Sequence, residues 1–353
     1  KRILITEKWK VFDMRVIVDA FGGDNAPLAV LEGCAAAVAE YGVDIMLVGD
    51  KGKITACAKE HNISLKKMEI AQADDIMDMH DDPSEIIKSK AGTSLAVGLQ
   101  KLRDGEGDCF VSAGSTAALI MGATFIVKRI KGIKRPALAP VMPSAKGPFM
   151  LIDCGANLEA RPDVLTQFGL MGSLYMNKVM KVHSPRVGLL NVGAEDTKGG
   201  DNLVETYHRL ENAPLNFVGN VEPRDVPDGA CDVLVCDGFS GNIVLKLTEG
   251  VAGFFMGTLK TIFKKNLVTK LAAAMIMPGL KGLKKKMDYT EYGGAPLMGV
   301  SKPVVKAHGS SNASAFKNAV GKAVEFAGMG VIEAIGEELP ILMAKTQKDE
   351  TND

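Results

Sequence analysis

Short apolar segments recur along the chain, and nearly every one of them ends in a glycine accompanied by Asp, Ser or Asn. Helical patterns separate these segments, and this alternation is typical of a mostly parallel sheet with helices on both faces. We therefore predict a three-layer α/β/α fold. Ligands of open α/β sheets bind at the carboxyl ends of the strands, so the polar turns are expected to line one cleft. The 353 residues, 46% of them hydrophobic and only 5% aromatic, suffice for a large aliphatic core.

The segment at residues 232–250 shows this arrangement most clearly. An apolar run fits a buried strand, a Gly/Ser turn follows it, and a helical pattern begins near Asn242. Ser240 or Asn242 could cap that helix, and its first N–H groups, next to Gly238 and Gly241, suit the binding of phosphate. An ordinary capped strand-to-helix turn explains the segment equally well, so on its own it leaves both interpretations open.

Composition and motifs exclude several classes of function. The formal net charge of zero argues against a nucleic-acid binder that relies on bulk charge. The sequence contains no P-loop, no GxGxxG motif after its first strand, no HExxH or His/Cys cluster, and no GxSxG elbow. The sequence therefore gives no sign of a P-loop, of a dinucleotide-binding turn or of a zinc site. The six cysteines form no CxxC pair and suit reduced thiols, so we predict a cytoplasmic protein without a signal peptide or a membrane-spanning segment.

The chain is predicted to consist of three segments. Met14 immediately precedes the first strand pattern, so we expect the native protein to begin there, with residues 1–13 as an upstream extension. Residues 14–340 are predicted to form the α/β domain, and residues 341–353 a polar C-terminal tail. Within the domain, a long helix is predicted over residues 84–103.

A lysine-rich segment at residues 250–290 differs from the rest of the domain. Between residues 251 and 287 the only charged residues are lysines, and apolar residues recur at helical spacing. With a break at Pro278-Gly279, the pattern predicts a basic amphipathic helical hairpin, suited to an anionic membrane surface or an acidic partner. A helix pair packed on its own protein or on a second subunit is the alternative. The predicted membrane-binding residues are Phe254, Phe255, Leu259, Lys260, Phe263 and Lys264.

The polar turns, taken in order, resemble the phosphate acyltransferase (PlsX) family of bacterial phospholipid synthesis. The stretches that carry the resemblance are VDAFGGDNAP (18–27), VSAG (111–114), DCGAN (153–157), NVGAE (191–195), GNVEP (219–223), DGFSGN (237–242), YGGAPL (292–297) and HGSSN (308–312). The resemblance covers the chain from Met14 to about Glu333, and the ordered set is highly specific. Ser115 departs from the family pattern, in which Asn is expected.

This resemblance implies a reaction in which the fatty acyl thioester of acyl carrier protein and inorganic phosphate give acyl phosphate and the free carrier. It also implies a fold related to isocitrate and isopropylmalate dehydrogenases and to phosphotransacetylase, a homodimer bound peripherally to the membrane, and a product used by a glycerol-3-phosphate acyltransferase. No cofactor is implied. The alternatives are a phosphotransacetylase acting on a coenzyme A thioester, a metal- and NAD-dependent dehydrogenase, and a non-catalytic membrane-bound scaffold.

Phosphate is the nucleophile in the implied reaction, so the protein must hold it against the thioester carbonyl and stabilise the oxyanion. The predicted phosphate-binding residues are Ser240, Gly241 and Asn242, and those facing them across the cleft are His308, Ser310 and Ser311. His308 is assigned to the oxyanion or the leaving thiolate, and Asp237 orients it or caps the turn. The further candidates for substrate contacts are Asp19, Gly22, Gly23, Asp24, Ser112, Asn157 and Lys198.

Each of these residues also has a structural explanation. A lone histidine after a strand is commonly structural, Asp19 and Asp24 could brace the Gly-Gly turn, and Lys198 could be a solvated loop lysine. Acyl carrier protein is acidic, so a basic surface would steer it, and the lysine-rich hairpin is a candidate for that surface. We assign the hairpin to the membrane instead, because its apolar face is broad.

Overall fold

The strands form two sheets in the computed structural model, which describes residues 14–287 and 293–347. The predicted extension at residues 1–13, the end of the predicted hairpin at 288–290, and the last residues of the predicted tail at 348–353 lie outside the described residues. The strands are β1 (Arg15–Asp19), β2 (Asp44–Gly49), β3 (Met68–Gln72), β4 (Cys109–Ser112), β5 (Ala137–Leu138), β6 (Val141–Ser144), β7 (Gly147–Ile152), β8 (Arg186–Leu190), β9 (Asn216–Val221), β10 (Val233–Val235), β11 (Ala295–Met298) and β12 (Val304–Lys306).

The first sheet has seven strands in the order β3-β2-β1-β4-β12-β11-β5, and the second has five in the order β6-β7-β10-β8-β9. Neighbouring strands are parallel except that β11 is antiparallel to β12 and β5, and β6 is antiparallel to β7. The central strands are apolar at nearly every position because helices cover both faces of each sheet. The predicted mostly parallel α/β architecture is confirmed, but its strands are divided between two sheets.

Helices connect these strands and cover the sheets. They are α1 (Leu28–Tyr41), α2 (Lys51–Glu60), α3 (Ser94–Arg103), α4 (Thr116–Gly122), α5 (Pro162–Lys178), α6 (Asp201–Glu211), α7 (Gly238–Lys264), α8 (Leu267–Met287), α9 (Ala313–Gly328) and α10 (Val331–Gln347). Helices α1 and α9 pack against each other on the first sheet, and α5 packs against strands of the second. An edge-to-face contact between Tyr175 of α5 and Phe326 of α9, with ring centroids 5.6 Å apart, lies in a core cluster that contains residues of both sheets.

Two predicted boundaries differ from the structure. The predicted helix at residues 84–103 is divided into a 3₁₀ turn at Pro83–Ile87 and helix α3, because Thr93 caps α3 by accepting a hydrogen bond from the backbone N–H of Ala96. At the other end of the chain, α10 passes the predicted boundary at residue 340. It continues to Gln347 because its apolar face, including the buried Leu342, still packs on the core.

The predicted hairpin is formed by α7 and α8, and its turn lies at residues 265–266 instead of Pro278-Gly279. Asn266 and Thr269 start α8 by exchanging hydrogen bonds, each side chain with the other's backbone N–H, at 2.9 and 3.1 Å. The helix then continues through Pro278, because a proline inside a helix removes one backbone hydrogen bond and need not end it. No described helix is long and apolar enough to cross a bilayer.

Candidate active site

A cleft of about 540 Å³ lies between the two sheets, at the carboxyl ends of their strands. Four of the predicted site residues line it: Asp24, Asn242, His308 and Ser310. Asp24 follows β1 and His308 follows β12 of the first sheet, whereas Asn242 belongs to the helix after β10 of the second. The turns that carry these four residues therefore converge as expected, and the site is built from both sheets.

Asp19 lies beneath the Gly-Gly turn and does not line the cleft. Its buried carboxylate accepts hydrogen bonds from the hydroxyls of Ser94 and Ser112, both at 2.7 Å, and from the backbone N–H of Phe21. Burial raises the pKa of Asp19, and these hydrogen bonds oppose the rise. A Cβ atom on Gly22 would lie 2.5 Å from this carboxylate. Asp19, Gly22 and Ser112 thus brace the turn.

The turn after Asp19 holds the loop that carries His308. Gly23 has a φ of +98°, which favours glycine, and a Cβ atom there would lie 2.9 Å from the carbonyl oxygen of Gly309. The N–H of Asp24 donates to that same oxygen at 2.9 Å, and the Asn25 amide donates to the carbonyl oxygens of Ser310 and Ser311. Ser311 is buried in this contact, so Ser310 is the serine that faces the cleft.

His308 is oriented by its own loop. Its Nδ1 accepts a hydrogen bond from the backbone N–H of Ser310 at 3.2 Å and lies 2.8 Å from the hydroxyl of the same residue. Burial lowers the pKa of His308 below its usual value of 6.5, so the ring is neutral at neutral pH. With Nδ1 as acceptor, the neutral ring carries its proton on Nε2, which makes Nε2 a hydrogen-bond donor.

Helix α7 enters the site in close contact with the loop at residues 153–157. Asp237 caps the helix by accepting a hydrogen bond from the backbone N–H of Ser240 at 2.7 Å. The prediction that Ser240 or Asn242 caps this helix was therefore wrong. For Asp237, the cap is the structural alternative given in the sequence analysis. Ser240 is half-buried outside the cleft lining. A Cβ atom on Gly241 would lie 1.9 Å from the carbonyl oxygen of Asp153. This close approach places Asn242 at the cleft.

Asn157 positions α7 and does not reach the cleft. Its N–H and side-chain amide donate to the carboxylate of the buried Asp153 at 2.6 and 3.0 Å, and its carbonyl oxygen accepts from the N–H of Gly238. Leu138 and Ala156 also donate their N–H groups to Asp153. Burial raises the pKa of Asp153, and these hydrogen bonds oppose the rise.

Lys198 lies outside the cleft lining. It belongs to the turn after β8, and its backbone carbonyl accepts from the side-chain amide of Asn191 at 2.9 Å. Strands β8 and β9 form the outer edge of the second sheet, so the turns that follow them are displaced from the cleft between the sheets. Ser115, where the resemblance led us to expect Asn, caps α4 by accepting from the N–H of Ala118.

Lys306 is the main site residue that the sequence analysis missed. It is the last residue of β12, lies two residues before His308, and lines the cleft with its side chain buried. The signal was present as a lysine at the end of an otherwise apolar strand. Lys246 and Glu249 of α7 also line the cleft and form an ion pair at 2.8 Å.

The cleft offers donors for an anion and an apolar wall. The wall includes Ala117, Leu138, Pro140, Val141 and Leu245. In the part of the chain that the structure describes, no three His, Cys, Asp or Glu residues are grouped closely enough to hold a metal ion. The arrangement suits a phosphate or an oxyanion next to an acyl group.

The predicted membrane-binding residues lie on α7 beyond the cleft. Phe254, Phe255, Lys260 and Lys264 are exposed, whereas Leu259 and Phe263 are half-buried. Thr269 of α8 donates its hydroxyl to the carbonyl oxygen of Phe263, so this part of α7 faces α8.

Comparison with solved structures bears on the fold. A phosphotransacetylase from Staphylococcus aureus aligns with a TM-score of 0.60 and 16% identity, over 89% of this chain and 94% of that one. A phosphotransacetylase from Streptococcus pyogenes aligns with a TM-score of 0.60 and 17% identity, over 92% and 96%. These similarities confirm the predicted relation to the phosphotransacetylase fold.

Comparison of sequences bears on the family. The profile of the family described as "Fatty acid synthesis protein" matches residues 14–334. The phosphate acyltransferase of Alkaliphilus oremlandii is 45% identical over 324 residues, covering 92% of this chain and 97% of that protein. The phosphate acyltransferase of Clostridium perfringens is 44% identical over 338 residues, covering 95% and 100%. The chain therefore belongs to the fatty acid synthesis protein family, in agreement with its resemblance to phosphate acyltransferases.

Proposed function

We propose that the chain transfers a fatty acyl group from the thioester of acyl carrier protein to inorganic phosphate, giving acyl phosphate for phospholipid synthesis. The observation that carries this proposal is the cleft itself. Its neutral donors, among them His308 and Asn242, come from different sheets and face an apolar wall. The names of the relatives support the reaction class, and the neutral donors next to an apolar wall support the proposal that phosphate binds there beside an acyl thioester.

The reaction balances without a nucleophile from the protein. An oxygen of hydrogenphosphate forms a bond to the thioester carbonyl carbon, and the carbon–sulfur bond then breaks. The thiolate that leaves takes up the proton that hydrogenphosphate loses. We assign Nε2–H of His308 to the carbonyl oxygen as negative charge develops on it, and the Asn242 amide to the phosphate oxygens, whereas the Ser310 hydroxyl donates to Nδ1 of His308 and holds the ring.

We further propose that the enzyme acts as a cytoplasmic homodimer at an anionic membrane surface, where a glycerol-3-phosphate acyltransferase uses its product. The support for the membrane surface is the hairpin, whose exposed side chains include large apolar residues and lysines. A single helix, α7, carries both cleft residues and hairpin residues, so the proposed site of synthesis lies close to the proposed site of delivery.

The proposal is tested by release of free thiol from long-chain acyl carrier protein in the presence of phosphate. Asn242→Ala and His308→Ala are each expected to lower kcat/KM by roughly 10²-fold or more, because each removes a donor at the reacting groups. Ser240→Ala is the matched control on the same turn and should retain near-normal kinetics, because Ser240 lies outside the cleft lining. Equal losses in Ser240→Ala and Asn242→Ala would contradict this site.

The same assay separates the alternatives. Thiol release from coenzyme A thioesters but not from acyl carrier protein would identify a phosphotransacetylase. No release from either thioester would favour a non-catalytic scaffold. Size-exclusion chromatography with light scattering tests the homodimer independently.

A further inference from the structure

Lys306 is the most buried of the charged residues that line the cleft. It is only 8% exposed. Nζ donates to the carbonyl oxygens of Ala113 and Ala307, at 3.0 and 2.5 Å, which ties the end of β12 to the loop after β4. An ammonium has three N–H donors, and among the described residues these two carbonyls are the acceptors of its hydrogen bonds. The third N–H is left for the cleft that Lys306 lines.

Within the described residues, the charge on Lys306 has no direct counter-ion. No carboxylate of the described residues forms an ion pair with it, and the nearby Asp19 is already hydrogen-bonded to Ser94, Ser112 and a backbone N–H. Burial is the main cause that lowers the pKa of Lys306, to about 8, and attraction by Asp19 and Asp24 offsets it only in part. A buried charge is normally paired, so a charge that faces a cleft and is only partly compensated by its neighbours indicates an anionic ligand.

We propose that Lys306 binds the attacking phosphate, with its third N–H donating to a phosphate oxygen. This inference rests on the proposed function and extends it to a specific substrate contact. Phosphate carries its negative charge before the reaction starts, whereas the thioester carbonyl gains charge only during it. We therefore assign the fixed positive charge of Lys306 to phosphate. The assignment of His308 Nε2–H to the carbonyl oxygen is unchanged. The hydrogen bonds that Nζ donates to the carbonyl oxygens of Ala113 and Ala307 stabilise the charged ammonium form of Lys306 relative to the free amine.

A purely structural role is the competing explanation, because the two carbonyl contacts alone join β12 to the neighbouring loop. The two roles predict different effects of substituting Lys306 on the affinity for phosphate. A structural lysine would leave phosphate affinity unchanged once the protein is folded, whereas a phosphate ligand would change it selectively.

The first test compares Lys306→Met, Lys306→Arg and Lys322→Met in the thiol-release assay. Lys322 is the matched control, because it is also poorly exposed, with 12% of its side chain accessible, but its charge is paired with Glu325 at 2.7 Å. Lys306→Met is expected to raise the KM for phosphate roughly tenfold to a hundredfold, with little change in the KM for acyl carrier protein. Lys306→Arg should recover part of the loss, and Lys322→Met should match the native protein.

The second test uses the native protein, so it stands even if Lys306→Met fails to fold. The increase in Tm caused by inorganic phosphate alone is measured against pH. It is expected to decline as the pH rises through about 8, because a neutral amine no longer attracts phosphate. Asp19, Asp24, Lys246 and His308 are the other charged or titratable groups that act on Lys306 or are acted on by it. Burial lowers the pKa of His308 below 6.5, so His308 does not cause the change near pH 8.

The outcomes separate this inference from the proposed function. If the native protein releases no thiol, the proposed function fails, and the response of Tm to phosphate still tests Lys306. A phosphate response that stays constant well above pH 8, or an unchanged phosphate KM in a folded Lys306→Met protein, would overturn the assignment of Lys306. A selective rise in phosphate KM together with the loss of response above pH 8 supports it.

Discussion

A single glycine determines how helix α7 enters the site. A Cβ atom on Gly241 would lie 1.9 Å from the carbonyl oxygen of Asp153, so the helix and the loop could not keep their present contact with any side chain there. Gly250 lies on the same helix, yet it has nothing within 4 Å of the corresponding position. The two residues therefore form a matched pair in which only the close approach differs.

Alanine substitution at the two positions is expected to have opposite effects. Gly241→Ala should lower the free energy of unfolding by about 3 kcal/mol, because the added methyl group displaces packed backbone. Gly250→Ala should raise it by roughly 0.5 to 1 kcal/mol, because alanine favours an exposed helix. Urea-induced unfolding measures both values, and a destabilisation of similar size in the two variants would disprove the close contact.

The sequence predicts those site residues whose chemistry belongs to a turn. Asp24, Asn242, His308 and Ser310 follow strand patterns, and the common edge of parallel strands brings them together. Lys306 was not predicted because it is the last residue of an apolar strand and does not belong to a polar turn. The structural roles of other carboxylates, such as Asp19, depend on which N–H and O–H groups the tertiary packing presents, and spacing along the chain does not reveal this.

At the scale of elements, α7 connects the cleft with the proposed membrane surface. Its 27 residues span about 40 Å at 1.5 Å per residue. Asn242, Lys246 and Glu249 line the cleft, whereas exposed apolar residues lie along the helix from Phe239 and continue past Val251 into the hairpin. The sequence predicted this continuity. It misplaced the hairpin turn because the proline at 278 is a conspicuous breaker, whereas the cap at Asn266 is formed by two short polar side chains.

The hairpin is expected to bind anionic vesicles through its exposed apolar residues. Phe254 is 77% exposed and Leu271 is 67% exposed, so each can enter a lipid surface without disturbing the packing of the protein. The double variant Phe254→Ser and Leu271→Ser should weaken vesicle binding by roughly a hundredfold or more, because burial of each side chain contributes about 1.5 to 3 kcal/mol. Vesicle sedimentation measures the change, and turnover of soluble substrate should be preserved.

Phe125→Ser provides the control for that experiment. Phe125 is 58% exposed and lies outside the hairpin, so its removal should leave vesicle binding unchanged. Vesicle binding that persists in the hairpin variant would assign the hairpin to another partner, such as a second subunit. Binding should also weaken at high salt, because exposed lysines such as Lys260 and Lys264 contribute about 1 kcal/mol each near an anionic surface.

For the whole molecule, the division into two sheets has a direct consequence for the site. The strand pattern predicted the parallel pairing, but it did not show that β5 ends one sheet and β6 begins the other, because both segments are short. Only two residues separate them, so the chain crosses between the sheets beside the cleft. The geometry of the site therefore depends on contacts that hold the two sheets together, and sequence periodicity carries no information on such contacts.

Asp153 provides a hydrogen-bonded contact between the sheets. It follows β7 of the second sheet and accepts from the N–H of Leu138 in β5 of the first at 2.8 Å, as well as from three donors of its own loop. Asp153→Asn should lower the free energy of unfolding by about 3 kcal/mol, because an amide group faces these donors and leaves two of them unpaired. It should lower kcat/KM as well, since both sheets line the cleft.

Asp50→Asn is the control: Asp50 caps α2 through the N–H of Lys53, and asparagine caps a helix equally well. Thermal and urea unfolding measure both variants, and an Asp153→Asn protein as stable as Asp50→Asn would show that the sheets are held together elsewhere.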